Sequence, residues 1–294
     1  MPGPDGVAVV DKPAGWTSHD VVAKARGPLG TRKVGHSGTL DPDATGVLVL
    51  GVGRATRLLT FLSGLPKRYV GEVVLGTATA TLDASGEVTG TWDMSGVPLD
   101  ALRRAAAGLT GDIDQVPPMV SAKKVDGRRL HELARSGVEV ARAPVRVRVD
   151  AFTVGEAVAP GVFPVEVACS AGTYVRSLAA DLGTALGGGA HLRALRRLAV
   201  GPYTIEEAVA LADLAPERLL PPVEALRGRP RLVVDAPTAA LVAHGRVLAA
   251  AVLGAEGPGP WAVVDEAGAL LAVYEPHREG TVKPAVVLAE PPII

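Results

Sequence analysis

Gly35-His36-Ser37-Gly38-Thr39-Leu40-Asp41-Pro42-Asp43-Ala44-Thr45-Gly46 leads without a break into Val47-Leu48-Val49-Leu50-Gly51-Val52. The first twelve positions hold a histidine, three hydroxyls, two carboxylates and three glycines, and the apolar run that follows is bounded by Gly46 and Gly53. Such a run reads as a buried strand. Pro42 biases Asp41 away from the helical region and towards an extended conformation. A carboxylate on a glycine-rich loop just ahead of a buried strand is well placed as a nucleophile or base, because the strand fixes its backbone. The same residues also suit an Asx-turn with a solvated aspartate, and the chemistry of the loop alone does not choose between the two.

Working outward, residues 7–10 form a short strand ended by the turn Lys12-Pro13-Ala14-Gly15, and Thr17 or Ser18 caps a helix that runs to about Arg26. Residues 27–46 read as a loop. Beyond the buried strand the spacing predicts a helix over 54–62, a strand over 69–75 and a polar, glycine-punctuated loop over 77–86. Helices follow over 99–109, 128–135 and 177–186, with strands over 145–154 and 162–169. Strands and helices mix without a regular βα repeat, which favours an α+β core over a wholly parallel sheet. Pro216, Pro221, Pro222 and Pro230 crowd around Arg227-Gly228-Arg229 and suggest a boundary there, with residues 1–228 as the catalytic domain and 229–294 as an accessory domain. The accessory segment reads as mostly β, with one helix over 237–244 and strands over 247–253, 261–264, 270–274 and 285–288.

The 294 residues carry 30 Lys plus Arg against 31 Asp plus Glu, so the formal charge of −1 does not advertise an acidic partner. Hydrophobic residues at 48% suit a globular chain. The single cysteine, Cys169, excludes a disulfide framework or a thiolate-rich metal site within one chain and points to a reducing compartment. The opening Met1-Pro2-Gly3-Pro4-Asp5-Gly6 lacks a basic segment ahead of a long apolar run, and no stretch approaches a membrane span, so a cytoplasmic protein with no membrane association is expected.

Several familiar sites fail on inspection. Gly35-His36-Ser37-Gly38 lacks the spacing of a nucleophile elbow, and a hydrolase using Ser37 and His36 is disfavoured because adjacent residues point apart on an extended segment. The six histidines show no i, i+4 pair, so neither a metal nor a cofactor is expected. The basic residues, by contrast, are clustered: residues 123–148 hold eight Lys plus Arg against three acids, and residues 176–197 hold four against Asp181 alone. Patches of this kind suit a polyphosphate backbone, although each is also compatible with an ordinary solvated face.

Val10-Asp11-Lys12-Pro13-Ala14-Gly15-Trp16-Thr17-Ser18, the loop 35–48, Lys67-Arg68-Tyr69, Ser170-Ala171-Gly172-Thr173-Tyr174-Val175-Arg176 and Leu195-Arg196-Arg197-Leu198 stand in the order and spacing of the bacterial TruB family. Those proteins are the tRNA pseudouridine-55 synthases, and the resemblance covers roughly residues 7–215. It implies a core built on a mixed, mainly antiparallel sheet flanked by helices, followed by a small PUA-like RNA-binding domain. It also implies tRNA, through its T-arm, as the partner, with no obligate protein partner evident.

Position by position, Asp41 matches the family's catalytic aspartate and Tyr69 the aromatic that packs on the target base. Tyr174 and Arg176 match the pair below the base, with the arginine ion-paired to the aspartate. His36 resembles the histidine that fills space left by flipped nucleotides, Asp83 the loop aspartate that contacts RNA, and Lys12 and Lys124 positions near the active site or the RNA. Arg128 lies in the basic patch and Leu195 in the last motif, and both are grouped with the substrate-binding residues. Three positions depart from the pattern: Lys123, Ala80 and His131 stand where an apolar residue, a second aspartate and a tyrosine are common. A non-catalytic RNA-binding protein on the same platform is the competing class, and an intact Asp41 and Arg176 count against it, since binding alone needs no buried carboxylate.

Overall fold

In the computed structural model, residues 3–119, 124–125, 128–129 and 142–290 are described. Apolar β-branched runs dictate the framework. Strand β1 (Gly6–Lys12) pairs antiparallel with the strand after the polar loop, and both are buried almost throughout. Helix α1 (Ser18–Ala25) starts where expected, because Thr17 and Asp20 cap each other's backbone N–H groups in a capping box. The loop expected over 27–46 is shorter than that reading: strand β2 (Val34–His36) pairs with β3 (Thr45–Val52). A 3₁₀ turn over 53–58 continues into α2 (Leu59–Ser63), and β4 (Lys67–Leu75) follows.

The polar stretch after β4 is itself a hairpin, β5 (Thr77–Thr79) against β6 (Val88–Thr91), which the glycines at 76, 86 and 90 disguise as loop. Next come α3 (Leu99–Gly108), β7 (Gly111–Gln115), and the two-residue strands β8 (Lys124–Val125) and β9 (Arg128–Arg129). The helix expected over 128–135 is therefore corrected at its start, which is strand; its remainder, with Lys123 and His131, lies outside the described residues. Strand β10 (Val145–Val154) alternates as expected until a bulge at 149–151 leaves Asp150 and Ala151 exposed in succession. Then come β11 (Val162–Cys169), α4 (Val175–Ala185) and β12 (Ala190–Val200).

The main sheet has the order β14-β1-β3-β12-β4-β11-β10-β7, where β14 is Val209–Ala210; β2 pairs with β3, and β13 (Tyr203–Thr204) with β12. Among the described residues of this sheet only the β1/β14 and β3/β12 pairs are parallel, so it is mixed and mainly antiparallel, as expected. Strand β12, to which the spacing of residues assigns no element, is central: it joins the β1/β3 half to the β4/β11/β10 half. That junction needs Gly46, whose φ is +103° and where a Cβ would stand 2.1 Å from the Arg197 carbonyl oxygen. On one face α3 and α4 bury Leu102, Leu178 and Leu182 against Val73, Val149 and Val167; α1 covers Val10, Leu48 and Leu50 on another part of the sheet. Each such side chain contributes about 1.5–3 kcal/mol by leaving water.

A second sheet, in the order β15-β17-β18-β19-β16, comprises β15 (Arg231–Val233), β16 (Leu248–Ala249), β17 (Trp261–Val264), β18 (Leu270–Pro276) and β19 (Thr281–Val287). Helix α5 (Ala236–Ala243) packs on it, and the strand expected over 247–253 divides into β16 and the short α6 (Ala250–Leu253). The apolar side of this sheet shares a core with the first: Val7, Val9, Val47, Val49, Val223, Leu226, Val264 and Val273 form one buried cluster. Arg54 and Arg57 fasten the contact by donating to the Leu288 and Val287 carbonyls at 2.9 and 2.6 Å.

Candidate active site

The loop that holds Asp41 is gripped from two sides through its carbonyls. From below, Arg197 of β12 donates through Nε to the Val47 carbonyl at 2.7 Å, through Nη2 to Gly38 at 3.1 Å and through Nη1 to Thr39 at 3.4 Å. From the side, the Ser18 hydroxyl at the start of α1 accepts from the Leu40 N–H at 2.8 Å and donates to its carbonyl at 3.2 Å, while Gly15 donates to the Pro42 carbonyl at 3.0 Å. Lys12 completes the grip, with Nζ bound to the carbonyls of Pro13, Trp16 and Pro42 at 2.8, 2.5 and 2.8 Å. Lys12 is fully buried, and its ammonium already has an acceptor for each N–H. Lys12, expected near the active site or the RNA, therefore stands beside the Asp41 loop and shapes it through these carbonyls.

Against the fixed loop stands Arg176, in the first turn of α4. Its Nε meets Asp41 Oδ2 at 2.9 Å and its Nη2 meets Oδ1 at 3.1 Å, a two-pronged ion pair. Nη1 turns the other way, to Asp83 Oδ2 at 3.1 Å and the Thr81 carbonyl at 3.0 Å. Asp83 is held in turn, its Oδ1 accepting from the Thr81 and Ser85 hydroxyls and the Ser85 N–H. Asp83, expected to contact RNA, thus sets the guanidinium plane that faces Asp41. Burial raises the Asp41 carboxyl above the ordinary aspartate range, the Arg176 guanidinium pulls it back, and the Asp83 charge raises it again.

The start of α4 is positioned by a residue the sequence reading does not single out. Gln115, at the end of β7, accepts from the Tyr174 N–H at 2.7 Å and donates to the Tyr174 carbonyl at 3.1 Å. Ser177 adds a bond from its hydroxyl to the Val116 carbonyl at 3.1 Å. Tyr174 and Arg176 are therefore aimed from the same anchor.

Asp41, Tyr69, Tyr174, Arg176 and Leu195 line one cavity of about 310 Å³, together with Lys67 and Arg197. The Tyr69 hydroxyl lies against the Arg197 guanidinium, and burial raises its pKa. A second cavity of about 200 Å³ meets the first at Asp41, Arg176 and Leu195 and has Asp83, Ser85 and Arg193 on its far wall. His36 lines neither. It packs edge-on against His19 with ring centroids 5.4 Å apart, and burial, His19 and Arg197 lower its pKa to about 4, which leaves the ring neutral. Lys124 and Arg128 are placed only as backbone, on the facing strands β8 and β9; their side chains lie outside the described residues.

Arg197 and Lys67 stand beside motif residues that the sequence reading did assign. Both lie two positions from an assigned residue, Leu195 and Tyr69, and on a strand that spacing puts side chains on one face. For Lys67 the signal was present, since 69–75 reads as strand. For Arg197 it required knowing that 190–200 is extended.

Among solved structures, a crystal structure of a Cbf5-Nop10-Gar1 complex matches with a TM-score of 0.75 at 27% identity, over 97% of this chain and 85% of that one. An archaeal box H/ACA sRNP Nop10-Cbf5 complex matches at 0.73 and 26%, over 98% and 87%. In sequence, the model described as TruB family pseudouridylate synthase (N terminal domain) matches residues 26–175, and that of the tRNA pseudouridylate synthase B C-terminal domain matches residues 176–225. The tRNA pseudouridine synthase B of Streptomyces coelicolor is 50% identical over 287 residues, 94% of each chain. That of Rhodococcus jostii is 50% identical over 277 residues, 92% of this chain and 90% of the relative. The chain belongs to the TruB family of pseudouridylate synthases.

Proposed function

We propose that this enzyme converts a T-loop uridine of tRNA, at position 55, into pseudouridine. The observation that carries the reading is the Asp41–Arg176 pair set in the wall of a cavity of about 310 Å³, a size suited to one nucleoside. A uridine inside a folded RNA reaches such a site only by leaving its stack. Asp41 then attacks or deprotonates as the bond between N1 and C1′ breaks, the uracil turns while Tyr69, Tyr174 and Leu195 confine it, and C5 joins C1′. An aromatic face suits this task because stacking tolerates rotation in plane. The names of the relatives support tRNA as the substrate. No cofactor enters the reaction.

We assign residues 1–228 to the catalytic domain and 229–294 to a PUA-like unit that contacts the tRNA away from the T-loop, in a cytoplasmic enzyme that works without a protein partner. The test is incubation with an unmodified tRNA transcript carrying tritium at uridine C5. Release of one label per tRNA, abolished when the T-loop uridine is changed to cytidine, is expected. Binding without release would favour an RNA-binding protein that keeps the fold.

A further inference from the structure

Two lysines are buried beside the catalytic loop, and the fold treats them differently. Lys12 has three carbonyl acceptors for its three N–H bonds. Lys67, with 7% of its surface exposed, has one, the Ser63 carbonyl at 2.7 Å. Among the described residues it forms no ion pair. The groups that face it are Arg197 of β12, which repels it, and the thiol of Cys169 on β11, which burial pushes up to about 11 and so keeps neutral. A buried ammonium without a counter-ion, with N–H bonds left over, is costly, and such groups are retained where a ligand completes them. The Lys67 side chain lines the cavity that holds Asp41, and its position two residues from Tyr69 on β4 turns both to the same side.

The uridine reaction, on which this inference rests, offers one complement. When the C1′–N1 bond breaks, its electron pair passes to the uracil, and the negative charge spreads over N1 and the two carbonyl oxygens. Rejoining uses an electron pair at C5 to form the C5–C1′ bond; C5 gives up its proton and N1 ends with one, so no oxidant, reductant or co-reactant is needed. Among the described residues the other cations lining the cavity are engaged: Arg176 with Asp41 and Asp83, Arg197 with three carbonyls. We propose that Lys67 is a catalytic residue that binds a carbonyl oxygen of the uracil and stabilises the charge that develops on the base as the glycosidic bond breaks.

The test is single-turnover tritium release from the labelled tRNA at saturating enzyme, between pH 6.5 and 9.5, for wild type, Lys67→Met and Lys67→Arg. Lys67→Met should lower the rate at pH 7 by about thirtyfold or more while tRNA affinity stays within about threefold, because the missing contact belongs to the transition state. Its melting temperature should hold or rise, since the buried charge is gone. The gap to wild type should narrow as pH rises, because burial brings the Lys67 pKa down to about 8 and the wild-type amine loses its charge there. Lys67→Arg should lose that alkaline fall. A Lys67→Met enzyme at the wild-type rate, or a gap constant across pH, would overturn the proposal. If Lys67→Met fails to fold, a Lys67→Arg profile that superimposes on wild type overturns it instead. Wild-type enzyme that releases no label would fail differently, by removing the uridine reading itself.

Discussion

Asp41 is held between burial and the Asp83 charge, which raise its carboxyl, and the Arg176 guanidinium, which lowers it. The carboxyl is raised by burial and by Asp83, so the rate should fall on the acid side with a midpoint above the ordinary aspartate value, because only the ionised form attacks or deprotonates and it is lost as pH drops through the raised pKa. A pH profile of single-turnover rate checks this, and a midpoint below 3.8 would contradict it. Asp41→Asn preserves shape but not charge; we expect tritium release to disappear, with tRNA affinity changed by less than about tenfold. A variant keeping a tenth of the rate would remove Asp41 from the mechanism. Arg176→Lys should cost about a hundredfold in rate, since one ammonium cannot span Asp41 at 2.9 and 3.1 Å and Asp83 at 3.1 Å together. Unchanged kinetics would show that the planar fork is dispensable.

Elements meet at the site through backbone anchors, and the one at the start of α4 is the most exposed to a single change. Gln115 carries both hydrogen bonds that tie β7 to Tyr174. Gln115→Ala should destabilise the fold by about 1–3 kcal/mol, as the half-buried Tyr174 N–H loses its partner and the Tyr174 carbonyl keeps only the Leu178 N–H, and lower the rate as well, because Tyr174 and Arg176 lose a common reference. Thermal unfolding and single-turnover kinetics measured together check this; a stability loss with full activity would mean that α4 is aimed by packing alone. Strand β12 makes the complementary case. Its Leu192, Leu195 and Leu198 recur every three residues, which imitates a helix face, yet nine of its residues pair with β4. Pairing partners more than a hundred residues distant override the local pattern.

The two sheets share a buried cluster, so the segment after 228 is more than an appended RNA grip. Removing it would uncover Val223, Ala225, Leu226 and the β1/β3 face that Val264 and Val273 cover. We expect truncation after Gly228 to give an aggregating or strongly destabilised protein, measurable as lost solubility or melting temperature. A soluble truncation with normal kinetics on an isolated T-arm would show instead that the core closes without it. Binding by the full chain should weaken steeply with salt in spite of the net charge of −1, because each phosphate contact made by an exposed basic residue releases counterions. A flat plot of log affinity against log salt would make the basic patches ordinary solvated faces.

What local chemistry dictates was legible in the residues: the loop with Asp41 ahead of an all-apolar strand, the Thr17 cap of α1, the alternation of β10 up to its bulge, and the α+β order of elements. Each rests on interactions between near neighbours or on period-two and period-3.6 patterns, which a linear reading contains. The motif resemblance added Tyr69, Tyr174 and Arg176, which now stand around one cavity with Asp41. Arg197 under the loop, Gln115 under Tyr174, Lys12 as a clamp and Lys67 with a single acceptor were not legible, because their partners lie elsewhere in the chain or depend on which N–H bonds the folded backbone leaves unmatched. The proline cluster near 222 read as a boundary because proline advertises its local stiffness, but not the burial of Val223 and Leu226 in one cluster with β1 and β3 residues. Local geometry is written in adjacent residues; the satisfaction of a buried charge is a sum over groups that only folding brings together.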